Sequence, residues 1–256
     1  MPYLAIGEAT WPELEAAVRR GYVTALVPLG ATEQHGPHLP CRTDTLRAGA
    51  IARRVAHGLG EPVLLAPVLP VGASDEHRGF PGLLGMSTET LTTVLVDLAE
   101  RLRTWGVERL ILLSAHGGNV GAVRAAAERI RGELPPLTVA VPYGADGRLA
   151  AARQEGVSRA RMGLHAGEAE TSEILAIDGA AVRHDRLERG LVDDPAALLD
   201  RMRSEPLIAL SPSGVIGDPR RSDAERGRRY LEGQARAVIA QLRRPETWGG
   251  AAPGPA

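Results

Sequence analysis

A loop that follows a short apolar segment carries the residue types that bind metal ions. It reads ATEQHGPHLP from residue 31, so Glu33 and His35 stand two residues apart, and His38 and Asp44 follow closely. In an extended loop this spacing puts both of the first two side chains on one side. Glu, His and Asp are the ligands expected for Zn²⁺ or Mn²⁺ without thiolates. A solvated glutamate and two turn histidines are the ordinary alternative, but four such residues in a Gly/Pro-stiffened loop favour a metal site.

A second group is the turn His116-Gly117-Gly118-Asn119, which follows another apolar segment. His116 stands where a strand would end, and the two glycines allow the backbone to bend sharply or to approach a ligand. Asn119 is the only asparagine of the chain. It could cap the following helix, or orient a metal ligand or a substrate oxygen, and the sequence leaves both interpretations open.

The third group, HAGEAETS, combines a histidine with two carboxylates ahead of an apolar helical stretch. His165, Glu168 and Glu170 have the composition of a metal ligand accompanied by a general acid or base. The helix dipole also favours carboxylates in a first turn, which gives Glu168 and Glu170 an ordinary structural explanation.

A fourth polar segment, residues 72–82, has the composition of a substrate-binding loop. Its candidate substrate contacts are Ser74, Glu76 and His77, with Asn119 of the second group as a further one. The alternative interpretation is an ordinary polar turn with Phe80 packed underneath.

All four groups follow segments that are predicted to be strands. Apolar runs predict strands at residues 22–28, 62–67, 109–114 and 137–142. Helices are predicted after Thr10, at about residues 44–59, 89–105, 119–131, 170–176 and 195–203, and from a capping box at 222–225 to about 242. This alternation predicts an α/β fold whose mostly parallel sheet is covered on both faces. Because ligands bind beyond the carboxyl ends of such strands, we expect the four groups to converge.

A convergent site of this composition predicts hydrolysis at a dinuclear metal centre. Two metals about 3.5–4 Å apart, bridged by a carboxylate, form many hydrolytic centres. Asp44 is the natural bridge, and water held between the metals would attack a carbonyl carbon. The sequence has no Gly-x-Ser-x-Gly nucleophile elbow, and its single cysteine, Cys41, is interpreted as a packing residue. The metal-activated water is therefore the expected nucleophile.

Composition excludes several classes of function. The 256 residues carry a formal net charge of −1 and 3% aromatic residues, so we expect no nucleic-acid partner. No apolar run approaches the roughly 18 residues of a membrane helix, and the N-terminus lacks signal-peptide features, so we expect a cytoplasmic protein. All 30 basic residues are arginine, which excludes lysine-based catalysis. Without a linker, the chain is predicted to form one domain over residues 1–248, followed by a disordered tail at 249–256.

Taken together, these motifs resemble the creatininase (creatinine amidohydrolase) family. The resemblance rests on ATEQHGPHLP with Asp44, ASDEHRGFPG at residues 73–82, HGGN, HAGEAETS and GVIGDP at 214–219. It implies a three-layer α/β/α sandwich and hydrolysis of a non-standard amide C–N bond. It also implies two divalent metal ions per chain, Zn²⁺ or Mn²⁺ with Fe²⁺ as an alternative. Members usually assemble as hexamers, which implies a homo-oligomer here.

The resemblance assigns roles to individual residues. The ligands that it implies are Glu33, Asp44 and His116 for one metal, and His35 and Asp44 for the other. Members that hydrolyse creatinine supply a further glutamate at the position of Gly118, and Glu168 is the predicted replacement. His165 and Glu170 would then orient the ligands or transfer protons.

Departures from the family pattern bear on the substrate. Members that hydrolyse creatinine carry an aromatic residue and a carboxylate shortly before the residue that matches His165, where this chain has Arg161 and Met162. We therefore expect a cyclic amide, a formamide or a modified peptide rather than creatinine. One alternative is a peptidase like the one that trims the mycofactocin precursor, a subgroup that the end of this chain also resembles. Another is a non-catalytic metal-binding protein that retains the fold.

Overall fold

The computed structural model describes residues 3–249, so that all but the first residue of the predicted tail at 249–256 lies outside the described residues. One sheet is built from β1 (Tyr3–Ala5), β2 (Thr24–Leu29), β3 (Val63–Leu65), β4 (Arg109–Ser114) and β5 (Thr138–Ala140). The strand order is β1-β3-β2-β4-β5, and every neighbouring pair is parallel. The predicted parallel α/β sheet is thereby confirmed.

Helices connect the strands and continue beyond the last one. The α-helices within residues 3–249 are α1 (Trp11–Arg19), α2 (Thr43–Gly58), α3 (Thr88–Thr104), α4 (Val120–Glu133), α5 (Ala145–Gln154), α6 (Arg159–Met162), α7 (Glu168–Asp178), α8 (Pro195–Ser204), α9 (Leu207–Leu210), α10 (Ala224–Leu242) and α11 (Glu246–Gly249). Short 3₁₀ turns lie at Ile6–Glu8, Asp75–His77, Gly117–Asn119, Gly179–Ala181, His184–Arg186 and Pro219–Arg221. None of the described helices is long and apolar enough to cross a membrane.

The sheet is the middle layer of three, because successive residues of a strand face opposite sides. Leu110 and Leu112 of β4 pack in a core with α1, α3 and α4. Ile111 and Leu113 of the same strand pack in a second core with α2 and α10. The predicted three-layer α/β/α sandwich is thereby confirmed.

Helix α10 sets the position of α7, which carries part of the site. A Cβ atom at Gly227 of α10 would collide with the backbone of Ser172 in α7. The two helices therefore approach to backbone distance, and only glycine fits between them. Asp223, rather than the predicted Ser222, caps α10 by accepting a hydrogen bond from the N–H of Arg226.

Candidate metal centre

Asn119 joins the three loops that follow the central strands. Its Oδ1 accepts a hydrogen bond from the N–H of Ala73 at 2.8 Å. Its Nδ2 donates to the carbonyl of Gly30 at 3.0 Å and to Oγ of Ser114 at 3.2 Å. The side chain makes no capping hydrogen bond to α4, so that interpretation of Asn119 was wrong. These contacts hold the ends of β2, β3 and β4 together, as the convergence of the predicted groups requires.

The centre of the cluster is Asp44, which lies in the first turn of α2 and is buried. Its Oδ1 is 3.6 Å from Nε2 of His35, and its Oδ2 is 3.2 Å from Nδ1 of His116. The same Nδ1 of His116 is 3.3 Å from Oε1 of Glu33. Each oxygen of one carboxylate thus faces a different histidine, which is the arrangement that a bridging ligand needs.

The donor atoms fit a pair of divalent cations. Oε2 of Glu33 and Nε2 of His35 are buried and have no hydrogen-bond partner among the described residues. Buried polar atoms of this kind are costly unless a partner compensates them. Imidazole and carboxylate ligands without thiolate suit Zn²⁺ and Mn²⁺. A metal would supply the missing partner for both atoms.

Two further histidines lie against this cluster. Nε2 of His77 is 3.0 Å from Oε1 of Glu33, and the rings of His77 and His165 have centroids 4.5 Å apart. Three sets of ligand atoms have members within 4.8 Å of one another: Glu33, His35 and Asp44; His35, His165 and Glu170; and Glu33, His77 and His165. His38 instead contacts Oγ1 of Thr171 through its Nε2.

Gln34 fixes the orientation of two of these rings, and sequence analysis missed it. Its side-chain nitrogen lies 3.0 Å from Nδ1 of His77 and 3.0 Å from Nε2 of His165. Its backbone carbonyl lies 2.7 Å from the same Nε2 of His165. This short contact favours the tautomer in which Nε2 carries the proton and donates to the carbonyl, so that Nδ1 of His165 is the acceptor. The side-chain nitrogen of Gln34 is itself a donor, so it bonds to Nδ1 of His77 rather than to Nε2 of His165.

The two carboxylates of α7 have different surroundings. Glu170 lies in the cluster, with its Oε2 3.9 Å from Nε2 of His35. The N–H of Ala166, whose φ of 49° is in the left-handed region, donates to the same oxygen at 2.8 Å. Glu168 instead accepts hydrogen bonds from the side chains of Ser172, Arg226 and Tyr230. The predicted role of Glu168 as a metal ligand therefore does not fit its contacts, because its carboxylate faces α10.

The predicted substrate loop packs behind His116. Nε2 of that ring donates to the carbonyl of Ala73 at 3.0 Å, with Oγ of Ser74 at 3.2 Å and Oε1 of Glu76 at 3.5 Å. Since Nε2 is thus occupied as a donor, Nδ1 is the nitrogen that faces Glu33 and Asp44, and it is the one that could lose its proton and bind a metal there. Ser74 and His77 are buried, whereas the side chain of Glu76 is 27% exposed. Of the three predicted loop contacts, Glu76 is the one that solvent reaches.

A buried arginine contacts the cluster and was also missed. Arg47 lies one turn after Asp44 in α2, and its side chain is 3% exposed. It pairs with Asp44, Glu170 and Glu173. The sequence signal was present, because Arg47 occupies an otherwise apolar face of a predicted helix, three residues after a candidate ligand.

In the metal-free cluster the pKa is raised for two histidines and lowered for a third. Burial opposes protonation of His35 and His116, but Asp44 and Glu33 beside them raise the pKa of His35 to about 9 and that of His116 to about 10. Burial, together with the charges of His35 and His77, lowers the pKa of His165 to about 3. Against the effect of burial, Arg47 and His35 hold the pKa of Glu170 at about 2. At neutral pH, His165 is thus a neutral base and Glu170 an anion.

Comparison with known proteins relates this chain to a family of enzymes and to individual members of it. The family model described as "Creatininase: Creatinine amidohydrolase" matches residues 7–242. The chain is 36% identical over 243 residues to the mycofactocin precursor peptide peptidase of Mycobacterium ulcerans (strain Agy99), covering 92% of this chain and 86% of that protein. It is 29% identical over 255 residues to the creatinine amidohydrolase of Pseudomonas putida, covering 93% and 95%.

Solved structures of creatininases have the same fold as this chain. The structure named "Creatininase Mn" superposes with a TM-score of 0.78 at 26% identity, over 96% of this chain and 99% of that chain. A mutant creatininase of the "Zn-Zn type" superposes with a TM-score of 0.77 at 27% identity, over 96% and 98%. The fold is therefore shared over nearly the whole chain, and the related structures include a zinc form and a manganese form.

Proposed function

Since this chain belongs to the creatininase family and is a hydrolase that acts on C–N bonds, we propose that two divalent metal ions held around Asp44 serve that hydrolysis. The observation that carries the proposal is the contact of each Asp44 oxygen with a different buried histidine, His35 or His116. Structural metal sites are usually closed by four protein ligands, whereas two cations that share a carboxylate are typical of hydrolases.

The residues around Asp44 divide into two sets of ligands in this proposal. Glu33, Asp44 and His116 would hold one cation, and His35, Asp44 and Glu170 the other. Glu170 takes the place that sequence analysis gave to Glu168, because its carboxylate lies beside His35. Bound divalent ions would supply Lewis acidity, which lowers the pKa of water and polarises an amide carbonyl.

His165 is the proposed proton carrier. Its ring lies 4.2 Å from that of His35 and close to Glu170, and the carbonyl of Gln34 holds Nε2 as a donor. Nδ1 can then accept a proton from the attacking water and return it to the leaving nitrogen as the C–N bond breaks. The contact between Gln34 and the ring keeps that nitrogen oriented throughout.

Substrate reaches the cluster from the side of Glu76 in this proposal. The side chain of Glu76 is 27% exposed and that of Glu170 10%, whereas the side chains of Glu33 and His35 are fully buried. Substrate therefore meets Glu76 and Glu170 before the deeper ligands. Ser74, His77 and Asn119 are buried, so in this proposal they would hold Glu76 and the metal ligands in position and would make few direct contacts with substrate.

The substrate class is a cyclic amide, a formamide or a modified peptide, and one observation favours the peptide. The chain is 36% identical to a mycofactocin precursor peptide peptidase and 29% identical to a creatinine amidohydrolase. In addition, Arg161 donates to the carbonyl of Arg221 and Met162 is buried, so neither offers an aromatic or acidic clasp for creatinine. A peptidase that cleaves a modified precursor peptide is therefore the second candidate function.

We propose the remaining properties on the family resemblance and on composition. They are a homohexameric assembly, a cytoplasmic location and a single domain over residues 1–248. Light scattering coupled to size-exclusion chromatography measures the assembly: six chains per particle support the proposal, and a monomer contradicts it.

Metal content is the first test of this function. Elemental analysis of protein purified without added metal should find about two divalent ions per chain. His116→Ala should lose at least half of them, whereas the control His57→Ala should not, because His57 is exposed on the same α2 helix that carries Asp44. No bound metal after Zn²⁺ or Mn²⁺ is supplied would contradict the mechanism.

Hydrolysis is the second test. The loaded protein is incubated with creatinine, formamides and precursor-like peptides, and products are identified by mass spectrometry. Release of a peptide fragment that is lost in His116→Ala supports the peptidase. Retained metal without hydrolysis of any of these substrates supports the non-catalytic alternative.

A further inference from the structure

Arg47 makes four close polar contacts inside the cluster. Its Nη1 is 2.7 Å from Oδ1 of Asp44 and 2.9 Å from Oε1 of Glu170, and its Nε is 2.5 Å from Oε2 of Glu173. Nη1 also donates to the carbonyl of Ala115 at 3.0 Å. One guanidinium therefore contacts two proposed metal ligands and the backbone next to a third.

The surroundings explain why a cation is needed there. Glu33, Asp44, Glu170 and Glu173 are all buried. Burying several anions together without compensation costs far more than a single unpaired polar group. Arg148 is another arginine near these carboxylates, and its Nη1 is 3.6 Å from Glu170 and 3.9 Å from Glu173, beyond hydrogen-bond distance. Arg47 is thus the arginine that directly compensates Glu170 and Glu173, whereas histidines face Asp44 and Glu33.

We propose that Arg47 is a positioning residue that takes over part of the metal charge when the metals are absent. It compensates the carboxylates of Asp44 and Glu170 while no metal is bound, and it keeps the empty pocket folded. This inference rests on the proposed metal-dependent function. Its consequence is that metal and Arg47 compensate the same anions, so that each matters more to stability when the other is missing.

A purely structural role would behave differently. Glu173 also accepts a hydrogen bond from Gln234 of α10, so Arg47 could serve only to connect α2 with α7 and α10. In that case its removal would lower the melting temperature by the same amount with and without metal. The difference between these two shifts is therefore the quantity to measure.

The experiment compares thermal unfolding of the full chain after chelation and after reloading with Mn²⁺ or Zn²⁺ alone. Arg47→Met removes the charge and keeps an unbranched apolar chain. Arg53→Met is the matched control, because Arg53 lies on the same helix and is exposed. Metal-free Arg47→Met should melt about 10 °C below wild type, since breaking a buried ion pair by removing one partner is strongly destabilising.

Metal should restore about half of that loss, so that metal raises the melting temperature of Arg47→Met by about 5 °C more than that of wild type. Equal gains for both proteins, with wild type binding metal, would overturn this inference and leave the proposed function standing. A wild type that binds no metal would overturn both. Should Arg47→Met give no folded protein, Arg47→Gln decides, because it also removes the charge but keeps a hydrogen-bonding amide: a larger metal gain than in wild type supports the inference, and an equal gain overturns it.

Discussion

Glu168 and Glu170 stand two residues apart in the first turn of α7, and their carboxylates lie in different parts of the protein. Glu170 faces His35 and Arg47, whereas Glu168 accepts a hydrogen bond from the hydroxyl of Tyr230 at 3.0 Å and pairs with Arg226. Residues two apart on a helix point about 200° away from each other. One carboxylate therefore faces the proposed metal centre and the other joins α7 to α10.

This separation predicts opposite effects of two matched substitutions. Glu170→Gln should lower the metal bound per chain and the hydrolysis rate, because it removes an anionic ligand. Glu168→Gln should keep its metal but lose on the order of 1–3 kcal/mol of stability, since charged hydrogen bonds to Arg226 and Tyr230 are weakened. Elemental analysis and urea unfolding measure both properties. Loss of metal in Glu168→Gln, with normal metal in Glu170→Gln, would restore the sequence-based assignment.

Replacing Asn119 should destabilise the proposed metal centre, because its side chain hydrogen-bonds to the backbone of two loops beside it. Asn119→Ala leaves the N–H of Ala73 and the carbonyl of Gly30 without their buried partner, at a cost of about 2–4 kcal/mol. We expect a lower unfolding midpoint and weaker metal binding together, because the loops that carry His116 and Glu33 lose the side chain that hydrogen-bonds to both regions. An unchanged midpoint with only a raised KM would show instead that Asn119 contacts substrate.

Alkaline pH should destabilise the metal-free protein. The pKa values of His35 and His116 are about 9 and about 10 in the folded chain, against about 6.5 in an unfolded one. Their contribution to stability is fully present below pH 6.5 and is lost as the pH rises through 9 to 10. The melting temperature of chelated protein should therefore fall between pH 7 and 10.

Metal-loaded protein is the control for that pH series. In the proposed centre both rings would bind metal as neutral ligands, so that the protons that stabilise the metal-free state would already be gone. We expect a clearly flatter dependence of the melting temperature on pH. Parallel curves for the two forms would contradict the assignment of His35 and His116 as ligands.

Two adjacent glycines allow a test of the loop behind His116. A Cβ atom at Gly118 would collide with the carbonyl of Ala73 and come within 2.6 Å of Oε1 of Glu76, whereas one at Gly117 would contact nothing within 4 Å. Gly118→Ala should cost about 1–3 kcal/mol and lower metal affinity, because Ala73 must move away from Nε2 of His116. Gly117→Ala should behave like wild type in thermal unfolding and metal titration. Similar behaviour of the two variants would mean that the loop adapts freely.

Much of the fold could be predicted because its sequence signals are local. The apolar run of β4 predicted its bounds correctly at residues 109–114, and the central helices differ from their predicted ends by one or two residues. β1 was missed because three half-buried residues carry no periodic pattern. α5 was missed because it buries only Ala151 and Ala152, so it has almost no apolar stripe.

The candidate site was predictable to the level of its loops and less so at the level of single atoms. The four groups converge as the parallel sheet requires, and Glu33, His35, Asp44 and His116 come into contact. Gln34 and Glu173 were missed because their partners lie far along the chain, at His165 and Gln234. The choice between Glu168 and Glu170 depended on where α7 begins, which local sequence leaves uncertain by several residues.

The contact between Gln34 and His165 joins distant parts of the chain beside the proposed metal centre. These residues are separated by 131 positions in the chain, and the cluster as a whole spans β2 to α7. Contacts over such separations form late in folding, because a long loop must lose conformational entropy to close before the contact can stabilise it. Glu33, His35 and Asp44 are close in the chain, but the full set with His116 and Glu170 comes together only when these distant elements pack. We expect metal acquisition to be a post-folding event, so that the identity of the bound ion reflects what the cell offers to a finished pocket.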